Sequence, residues 1–275
     1  MTPFRASPGF TETWRHFGLE LSDGVATVTF DRPDKLNALT FDAYADLRDL
    51  LAELPHRGDV RVLVITGAGR GFCSGGDVEE IIGRLQGMEA AELLDFTRMT
   101  GAVVKALREC PLPVIAAVNG IAAGAGSVIA LACDFRLLAR SAVFAFLFTR
   151  VGLAGADMGS AYLLPRIVGL GRATELLVLG DEVSAEQAER IGLATQVVED
   201  DELAGAATAL ARRLADGPAL AYSTTKVLLS RELDMDLGSA IEMEAVTQAL
   251  LMKSHDHGEF YAAWRERRKP TWAGR

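Results

Sequence analysis

Hydrophobic positions alternate with polar ones early in the chain and then merge into longer apolar runs. Residues 19–30 hold two alternating or β-branched runs joined by Asp23-Gly24, a turn pair typical of a β-hairpin. Residues 41–54 carry apolar side chains at three- and four-residue spacing, which predicts a helix. Residues 60–66 are almost continuously apolar, the pattern of a strand covered on both faces. The opening segments therefore predict a mixed α/β layer.

The same succession recurs further along the chain. It predicts an amphipathic helix, a buried strand, a short buried helix and a further strand, at residues 88–110, 113–118, 127–132 and 135–139. Glycine-rich loops at residues 67–77 and 120–126 each follow a predicted strand. Repetition of strand, glycine loop and helix indicates a layered α/β core.

Helical periodicity dominates after about residue 169, where strand signals fade. The predicted helices cover residues 173–179, 184–191, 202–215, 219–231, 237–253 and 258–269. We divide the chain into an N-terminal extension (1–16), an α/β core (17–200) and a C-terminal helical region (201–275). We expect this last region to pack on the core or on a neighbouring subunit, since no low-complexity linker separates the two.

One uncharged run, residues 111–133, is 23 residues long and would suit a bilayer span. Two prolines, one asparagine and three glycines interrupt it. Such a run fits a continuous membrane helix poorly, so we predict a strand, a loop and a short helix, and no membrane partner.

Composition narrows the class of protein. Of 275 residues, 49% are hydrophobic and 24% are charged, an ordinary globular balance. A formal net charge of -9 argues against nucleic-acid binding. Three irregularly spaced cysteines and four scattered histidines favour neither a disulfide framework nor a metal site. Free cysteines and the lack of an apolar secretory segment near the start predict a cytoplasmic protein.

The glycine loops are the strongest chemical feature. They contain neither a P-loop, nor a dinucleotide-binding GxGxxG, nor a GxSxG nucleophile elbow. Cys73 lies in the first loop without a nearby histidine, so packing is favoured over a nucleophilic role. The loops either make tight turns or present backbone N–H groups. Two such N–H groups, one at a helix start, would form an oxyanion hole for a thioester oxygen.

Ordered motifs across about residues 17–272 resemble those of the crotonase superfamily, the enoyl-CoA hydratase/isomerase family. The segments that carry the resemblance are DRPDKLNAL (31–39), VLVITGAGRGFCSGGD (62–77), AVNGIAAGAGSVIALACD (117–134), GLAGADMGSAYLLPRIVG (152–169), AERIGLATQVV (188–198) and RERRKPTW (265–272). The resemblance implies an α/β fold in which a spiral of ββα turns precedes C-terminal helices that mediate trimers, often paired into hexamers.

The resemblance also implies a site. The N–H groups of Gly76 and Ala125 would form the oxyanion hole, and the ligand-contacting segment would continue through Asp77, Val78 and Glu79. The nucleotide end of CoA would lie by Lys35, Asn37 and Ala38. It implies an acyl-CoA substrate whose CoA is part of the thioester, with no separate cofactor. The terminal cluster Arg265, Arg267, Arg268 and Lys269 is either a solvated face or a contact for CoA phosphates.

The chain departs from the family at both glutamates of typical hydratases, whose positions hold Val128 and Phe148. Neither can move a proton, which disfavours ordinary hydration by two carboxylates. Asp157 matches an aspartate of isomerase-like members, eight residues before Pro165. It is either an acid/base catalyst or the N-cap of a helix beginning near Met158. Asp34, Glu79 and Glu80 are interpreted as surface or helix-start charges.

Three functional hypotheses follow. The first is an acyl-CoA isomerase-type enzyme in which Asp157 moves one proton while the oxyanion hole holds the enolate. The second is an enoyl-CoA hydratase with an unusual acid/base set. The third is a crotonase-fold CoA-binding scaffold whose catalysis has decayed, which the missing glutamates favour and the intact glycine loops oppose.

Overall fold

Ten short strands form two sheets in the computed structural model, which describes residues 9–275. The first eight residues of the predicted extension lie outside the described part of the chain. In chain order the strands are β1 (Gly18–Ser22), β2 (Val25–Phe30), β3 (Val62–Gly67), β4 (Gly71–Cys73), β5 (Val114–Val118), β6 (Ile121–Ala123), β7 (Phe135–Ala139), β8 (Val143–Ala145), β9 (Glu182–Ser184) and β10 (Gln196–Val198).

Helices account for most of the remaining chain. They are α1 (Phe41–Arg57), α2 (Gly83–Leu85), α3 (Ala90–Glu109), α4 (Ala125–Ala132), α5 (Ser160–Val168), α6 (Leu170–Leu179), α7 (Ala185–Arg190), α8 (Leu203–Ala215), α9 (Ala219–Glu232), α10 (Leu237–Leu251) and α11 (His255–Glu266). Short 3₁₀ turns occupy Pro33–Lys35, Leu147–Val151 and Asp200–Glu202, and a π-helical turn occupies Val78–Ile82.

The larger sheet has the strand order β1-β2-β3-β5-β7-β10. β1 and β2 form the predicted antiparallel hairpin, and every later neighbour pairs in parallel. β5 is buried at every position, as its continuous apolar run predicted, because packed elements cover both faces of the strand.

The smaller sheet explains the spiral. Its order is β4-β6-β8-β9, with β4, β6 and β8 parallel and β9 antiparallel to β8. Each turn of the chain gives one strand to each sheet and then a helix, as in β3–β4–α3 and β5–β6–α4. This repetition places the ends of β4 and β6, where the two glycine loops lie, side by side.

The sequence pattern missed five strands and one helix. β4, β6, β8, β9 and β10 span three residues each, too few for alternation to show. β6 lies inside the loop predicted at 120–126, and β9 and β10 fall where strand signals had faded. α5 went unpredicted because Pro165 interrupts its helical pattern.

The C-terminal helices are joined to the core chiefly through α9. The Lys226 ammonium is 7% exposed, donates to the carbonyl oxygens of Leu107 and Leu112 at 3.1 and 2.9 Å, and lies 2.8 Å from the Asp134 carboxylate. Beyond this tether the packing thins, since α10 contains no buried residue. The boundaries drawn at residues 17 and 200 stay a prediction.

The uncharged run at residues 111–133 divides into β5, β6 and α4. The strand and the short helix were predicted, whereas β6 lies in the predicted loop. Within residues 9–275, no helix combines the length and the apolar character needed to cross a bilayer. The same part of the chain brings no three His, Cys, Asp or Glu side chains together as a metal site.

Candidate active site

The two glycine loops touch at the ends of β4 and β6. A Cβ atom on Gly126 would lie 2.0 Å from the carbonyl oxygen of Cys73. A Cβ atom on Gly75 would lie 3.4 Å from the Ala125 nitrogen, and Gly75 has a φ of +101°. The positive φ of Gly75 and the close approach at Gly126 are both permitted only by glycine. The loops are therefore fixed against each other by main chain rather than by side chains.

Two backbone N–H groups are left without an acceptor where the loops meet. Leu39 pairs with this segment by donating to the Gly75 carbonyl at 2.8 Å and accepting from the Asp77 N–H at 2.9 Å. Between them, the Gly76 N–H donates to no acceptor within residues 9–275. The Ala125 N–H also lacks one in this range, because Ala125 is the first residue of α4. Both groups remain available to a ligand oxygen.

Arg32 forms hydrogen bonds to both segments that flank the first loop, at Ala38 and at residues 77–80. Its guanidinium donates to the Ala38 carbonyl at 2.7 Å, to Asp77 at 3.0 Å and to Glu80 at 2.9 Å. The sequence pattern indicates no function for Arg32. The available signal was charge: DRPDKLNAL contains two cations, Arg32 and Lys35, and carboxylates occupy positions 77 and 80.

The Asp77 carboxylate is occupied within the protein. It is 4% exposed and caps the helical segment that follows by accepting from the N–H groups of Glu79 and Glu80 at 3.0 Å each. The N–H of Glu80, then that of Glu79 and the Arg32 guanidinium, lower the pKa of Asp77. Val78, by contrast, is 69% exposed beside the loop. In this predicted ligand-contacting segment the exposed side chains are those of Val78 and Glu79.

The segment expected beside the nucleotide end of CoA is held by Asn37. The Asn37 amide is buried, donates to the carbonyls of Ala68 and Gly71 at 2.9 and 2.7 Å, and accepts from the Arg32 N–H at 2.9 Å. These bonds fix the loop shape. Ala38 is buried, whereas the Lys35 ammonium is half exposed and lies 3.5 Å from Glu79. Lys35 thus keeps its charge near the surface of the loop.

The positions of the usual glutamates are apolar and buried, since Val128 is 0% and Phe148 is 8% exposed.

Asp157 is the remaining candidate for an acid/base catalyst. One of its carboxylate oxygens accepts from the Met158 N–H at 2.8 Å, and the other has no partner within residues 9–275. Burial raises the pKa of Asp157. The structure therefore holds a partly buried carboxylate with one oxygen free for proton transfer.

The N-cap interpretation of Asp157 is wrong. α5 begins at Ser160 and its cap position is Gly159. Met158 and Gly159 both have positive φ values, +50° and +90°, so the chain turns before the helix starts. The Asp157 side chain consequently bonds the adjacent N–H in this turn and caps no helix.

Cys73 and Tyr44 are the other buried titratable groups at this site. Burial raises the pKa of Cys73 to about 12, so the thiol stays neutral and unreactive near neutral pH. Burial is also the main cause of the raised pKa of Tyr44. Sequence reasoning assigned no function to Tyr44, because one aromatic residue on a helix resembles any core residue.

Comparison with known proteins decides the family. A family model described as enoyl-CoA hydratase/isomerase matches residues 20–275. The chain belongs to this family. The predicted membership of the crotonase superfamily is confirmed, and the family consists of enzymes that act on acyl-CoA.

Relatives within the enoyl-CoA hydratase/isomerase family differ in chemistry. The 1,2-epoxyphenylacetyl-CoA isomerase of Escherichia coli is 37% identical over 92% of this chain and 96% of its own. The (E)-benzylidenesuccinyl-CoA hydratase of Thauera aromatica is 35% identical over 93% of this chain and 98% of its own. A crystal structure of a candidate enoyl-CoA hydratase from Streptomyces coelicolor A3(2) gives a TM-score of 0.98 at 64% identity, covering 100% of both chains. The predicted α/β crotonase fold is confirmed.

The Asp77 cap gives a testable prediction for stability. Asp77→Ala is expected to lower the free energy of unfolding near pH 7 by about 1–2 kcal/mol, because it removes a cap and a partner of Arg32. The pKa of Asp77 is lowered in the folded state, so its contribution is present above the unfolded pKa and is lost as pH falls through the folded pKa. Urea unfolding at pH 7 and pH 3 measures both effects, and Asp77→Asn, which keeps a capping oxygen, is the matched control. An equal loss at both pH values would contradict the assignment.

Proposed function

We propose that this protein is an acyl-CoA isomerase-type enzyme that stabilises a thioester enolate. The N–H groups of Gly76 and Ala125 would donate to the thioester oxygen, and Asp157 would move the proton. The observation that supports the proposal is that the chain keeps two unpartnered backbone donors on adjoining loops and a partly buried carboxylate with one unpartnered oxygen. No cofactor is required beyond the CoA carried by the substrate.

The reaction needs only these groups. Asp157 takes a proton from a carbon atom next to the double bond, and the electron pair of the broken C–H bond delocalises onto the thioester oxygen. The two N–H donors and the positive end of the α4 dipole stabilise the charge on this oxygen. Protonated Asp157 then returns the proton to another carbon, which shifts the double bond. A raised pKa suits a group that must both accept and release a proton.

Hydration would need a group that activates water, and the buried side chains of Val128 and Phe148 offer none. Hydration by other groups is the second candidate, because the Thauera aromatica relative is a hydratase.

Both named relatives act on acyl groups that carry a phenyl ring. Phe96 contacts Phe41 and Tyr44 edge-to-face, with ring centroids 5.1 and 6.3 Å apart. We therefore propose an aromatic acyl group.

A substrate panel tests the reaction type. Enoyl-, dienoyl- and aryl-acyl-CoA thioesters are incubated in deuterium oxide and followed by ultraviolet absorbance and mass spectrometry. Deuterium uptake or double-bond migration without addition of water supports the isomerase. Addition of water indicates the hydratase, and CoA binding with neither change indicates a decayed scaffold.

The ligand class gives its own prediction. CoA thioesters are expected to bind more tightly than the corresponding free acids. The free acid lacks the CoA nucleotide, so the residues predicted beside that nucleotide have nothing to bind in it. Isothermal titration calorimetry with one acyl group in both forms measures the difference. Equal affinities, or no binding of either compound, would refute the CoA assignment.

We also propose assembly into a trimer or a dimer of trimers through residues 201–275. α10 buries none of its side chains, and large apolar residues remain exposed on α10 and α11; these are Leu237, Ile241, Val246, Leu250, Phe260, Tyr261 and Trp264. An apolar surface of this kind marks an interface. Light scattering is expected to give three or six times the 29.4 kDa protomer mass, and a protomer mass at working concentration would contradict the proposal.

Free buried thiols suit a reducing compartment, so we propose a cytoplasmic location.

A further inference from the structure

A cavity of about 640 Å³ lies between α8, α9 and the amino ends of β5 and β7. Its volume is in the range of cavities that bind small molecules. The glycine loops of the candidate active site follow the carboxyl ends of β4 and β6 instead. Among the described residues, the lining of the cavity includes neither these loops nor Asp157. The cavity is therefore separate from the groups assigned to the reaction.

Apolar side chains from three elements line this cavity. Leu210 and Leu214 come from α8, Tyr222 and Leu229 from α9, and Phe135 from the first position of β7. These side chains form a surface that gains free energy when it is covered by hydrocarbon. The cavity thus suits a ligand with an apolar body.

One part of the lining is a charged network whose members bond to each other. The Asp134 carboxylate lies 2.8 Å from the Lys226 ammonium and accepts from the Val114 N–H at 2.8 Å. The Arg108 guanidinium lies 3.5 Å from Asp134 and donates to the Ser230 hydroxyl at 3.1 Å. This network joins α3, α9 and the larger sheet, so its groups are occupied within the protein.

Two other polar groups of the lining have no protein partner. Within residues 9–275, the Arg213 guanidinium and the Tyr222 hydroxyl make no hydrogen bond or ion pair. The Tyr222 ring packs against Gly217, where an added Cβ atom would lie 2.4 Å from a ring carbon and 2.6 Å from the hydroxyl oxygen. Packing therefore fixes the orientation of the hydroxyl, and both groups remain available to a ligand.

The charge of the lining is opposite in sign to that of the whole protein. The cavity holds three cations, Arg108, Arg213 and Lys226, and one carboxylate, Asp134. The chain as a whole has a formal net charge of -9. A cavity with an excess of cations attracts anions. The planar guanidinium of Arg213 matches both oxygens of a carboxylate.

We propose that this cavity binds a small organic acid, a carboxylate with an aryl or alkyl body. Arg213 pairs with the carboxylate, the Tyr222 hydroxyl donates to one of its oxygens, and the apolar side chains of α8 and α9 cover the hydrocarbon. The bound acid contacts both helices and stabilises the junction between the core and the C-terminal helices. This site is independent of the proposed function, because it uses none of the residues assigned to the reaction.

Isothermal titration calorimetry with octanoate and 4-phenylbutyrate tests the site. Octanamide, which lacks the charge, and acetate, which lacks the apolar body, are the matched probes. Wild-type protein is expected to bind both acids about tenfold or more tightly than either matched probe. The melting temperature of the wild type should also rise with the concentration of each acid.

Arg213→Gln is expected to weaken the binding of both acids about tenfold or more, because it removes the cation that pairs with the carboxylate. Arg190→Gln is the matched control, since the Arg190 side chain is 67% exposed on α7 and lies outside the lining. It changes the net charge equally and should leave the affinity unchanged.

A second pair of variants tests the charge of the cavity without removing a cation. Leu229 lines the cavity and is 63% exposed, so polar substitutions there should leave the protein folded. Leu229→Glu and Leu229→Gln introduce side chains of nearly equal size, and only the first adds a negative charge. Leu229→Glu is expected to bind both acids about tenfold less tightly than Leu229→Gln.

The proposal is overturned if the wild type binds neither acid, or binds the acid and the amide equally. Equal affinities of the wild type and Arg213→Gln would also overturn it. Displacement of octanoate by phenylacetyl-CoA would place the acid in the active site and reject the separate cavity. Binding that persists beside phenylacetyl-CoA and is weakened by Arg213→Gln supports the assignment.

Discussion

The Asp157→Asn variant is expected to lose about two to four orders of magnitude in turnover while binding CoA thioesters as tightly as the wild type. The amide cannot accept the migrating proton, and Val128 and Phe148 cannot replace it. Binding should persist because the oxyanion donors are backbone groups outside the substitution. Turnover and deuterium uptake on the best substrate, together with calorimetry, measure the two effects separately.

Stability separates this role from a structural one. Asn retains an oxygen that can accept from the Met158 N–H, so the local turn survives. The pKa of Asp157 is raised by burial, so the folded state loses stability as pH rises from the unfolded pKa to the folded pKa. Asp157→Asn should therefore be as stable as the wild type, or more stable, at pH 7, and this advantage should vanish at low pH. Urea unfolding at both pH values measures it.

Asp49→Asn is the matched control, since the Asp49 side chain is 56% exposed on α1. It should change both activity and stability little. Near-native turnover of Asp157→Asn on the best substrate would place the catalyst elsewhere. Activity of the wild type should also fall as pH drops through the raised pKa of Asp157, because the protonated carboxyl cannot act as the base.

The second large effect is expected for Gly126→Ala. Its new Cβ atom would lie 2.0 Å from the Cys73 carbonyl oxygen and 2.8 Å from the Cys73 Cβ, so one of the two loops must move. Movement of either loop separates the Gly76 and Ala125 N–H groups from the position of the thioester oxygen. Loss of one oxyanion donor typically lowers kcat by about 10²–10³-fold, and we expect a loss of this size. Rates with a CoA thioester measure it.

A control must show that the loss is not simply unfolding. Gly205→Ala, also a glycine-to-alanine change in a helix, places its Cβ where no atom lies within 4 Å. It should raise the free energy of unfolding by about 0.5–1 kcal/mol and leave the rate unchanged. Circular dichroism establishes whether Gly126→Ala is folded at the assay temperature. A folded Gly126→Ala protein with wild-type activity would contradict the oxyanion assignment.

The main strands and helices were predictable because their signals are local. Burial of β5 on both faces produces a continuous apolar run, and α1 exposes one face, which produces helical spacing. The five three-residue strands left no such signal, because a period of two cannot be recognised over three positions. Their pairing depends on neighbouring turns of the spiral rather than on their own composition.

The candidate site was predictable only in part. The glycine loops are visible in sequence because close main-chain approach excludes side chains, as the Cys73 carbonyl does at Gly126. The sequence did not show that the Asp77 carboxylate binds Arg32 or that the Asn37 amide binds the Gly71 carbonyl, since these partners lie 45 and 34 residues away along the chain. The N-cap alternative for Asp157 was wrong because two left-handed residues, Met158 and Gly159, delay the helix.

The sequence by itself determined the hairpin, the buried strands, the two glycine loops, the family and the absence of the usual glutamates, because each depends on residue type and local spacing. Only the tertiary structure decided which N–H groups stay unpartnered and that the second Asp157 oxygen is free. These features depend on distances between segments that are remote in sequence. Such distances are set by the packing of the spiral turns, which local hydrophobic patterns do not encode.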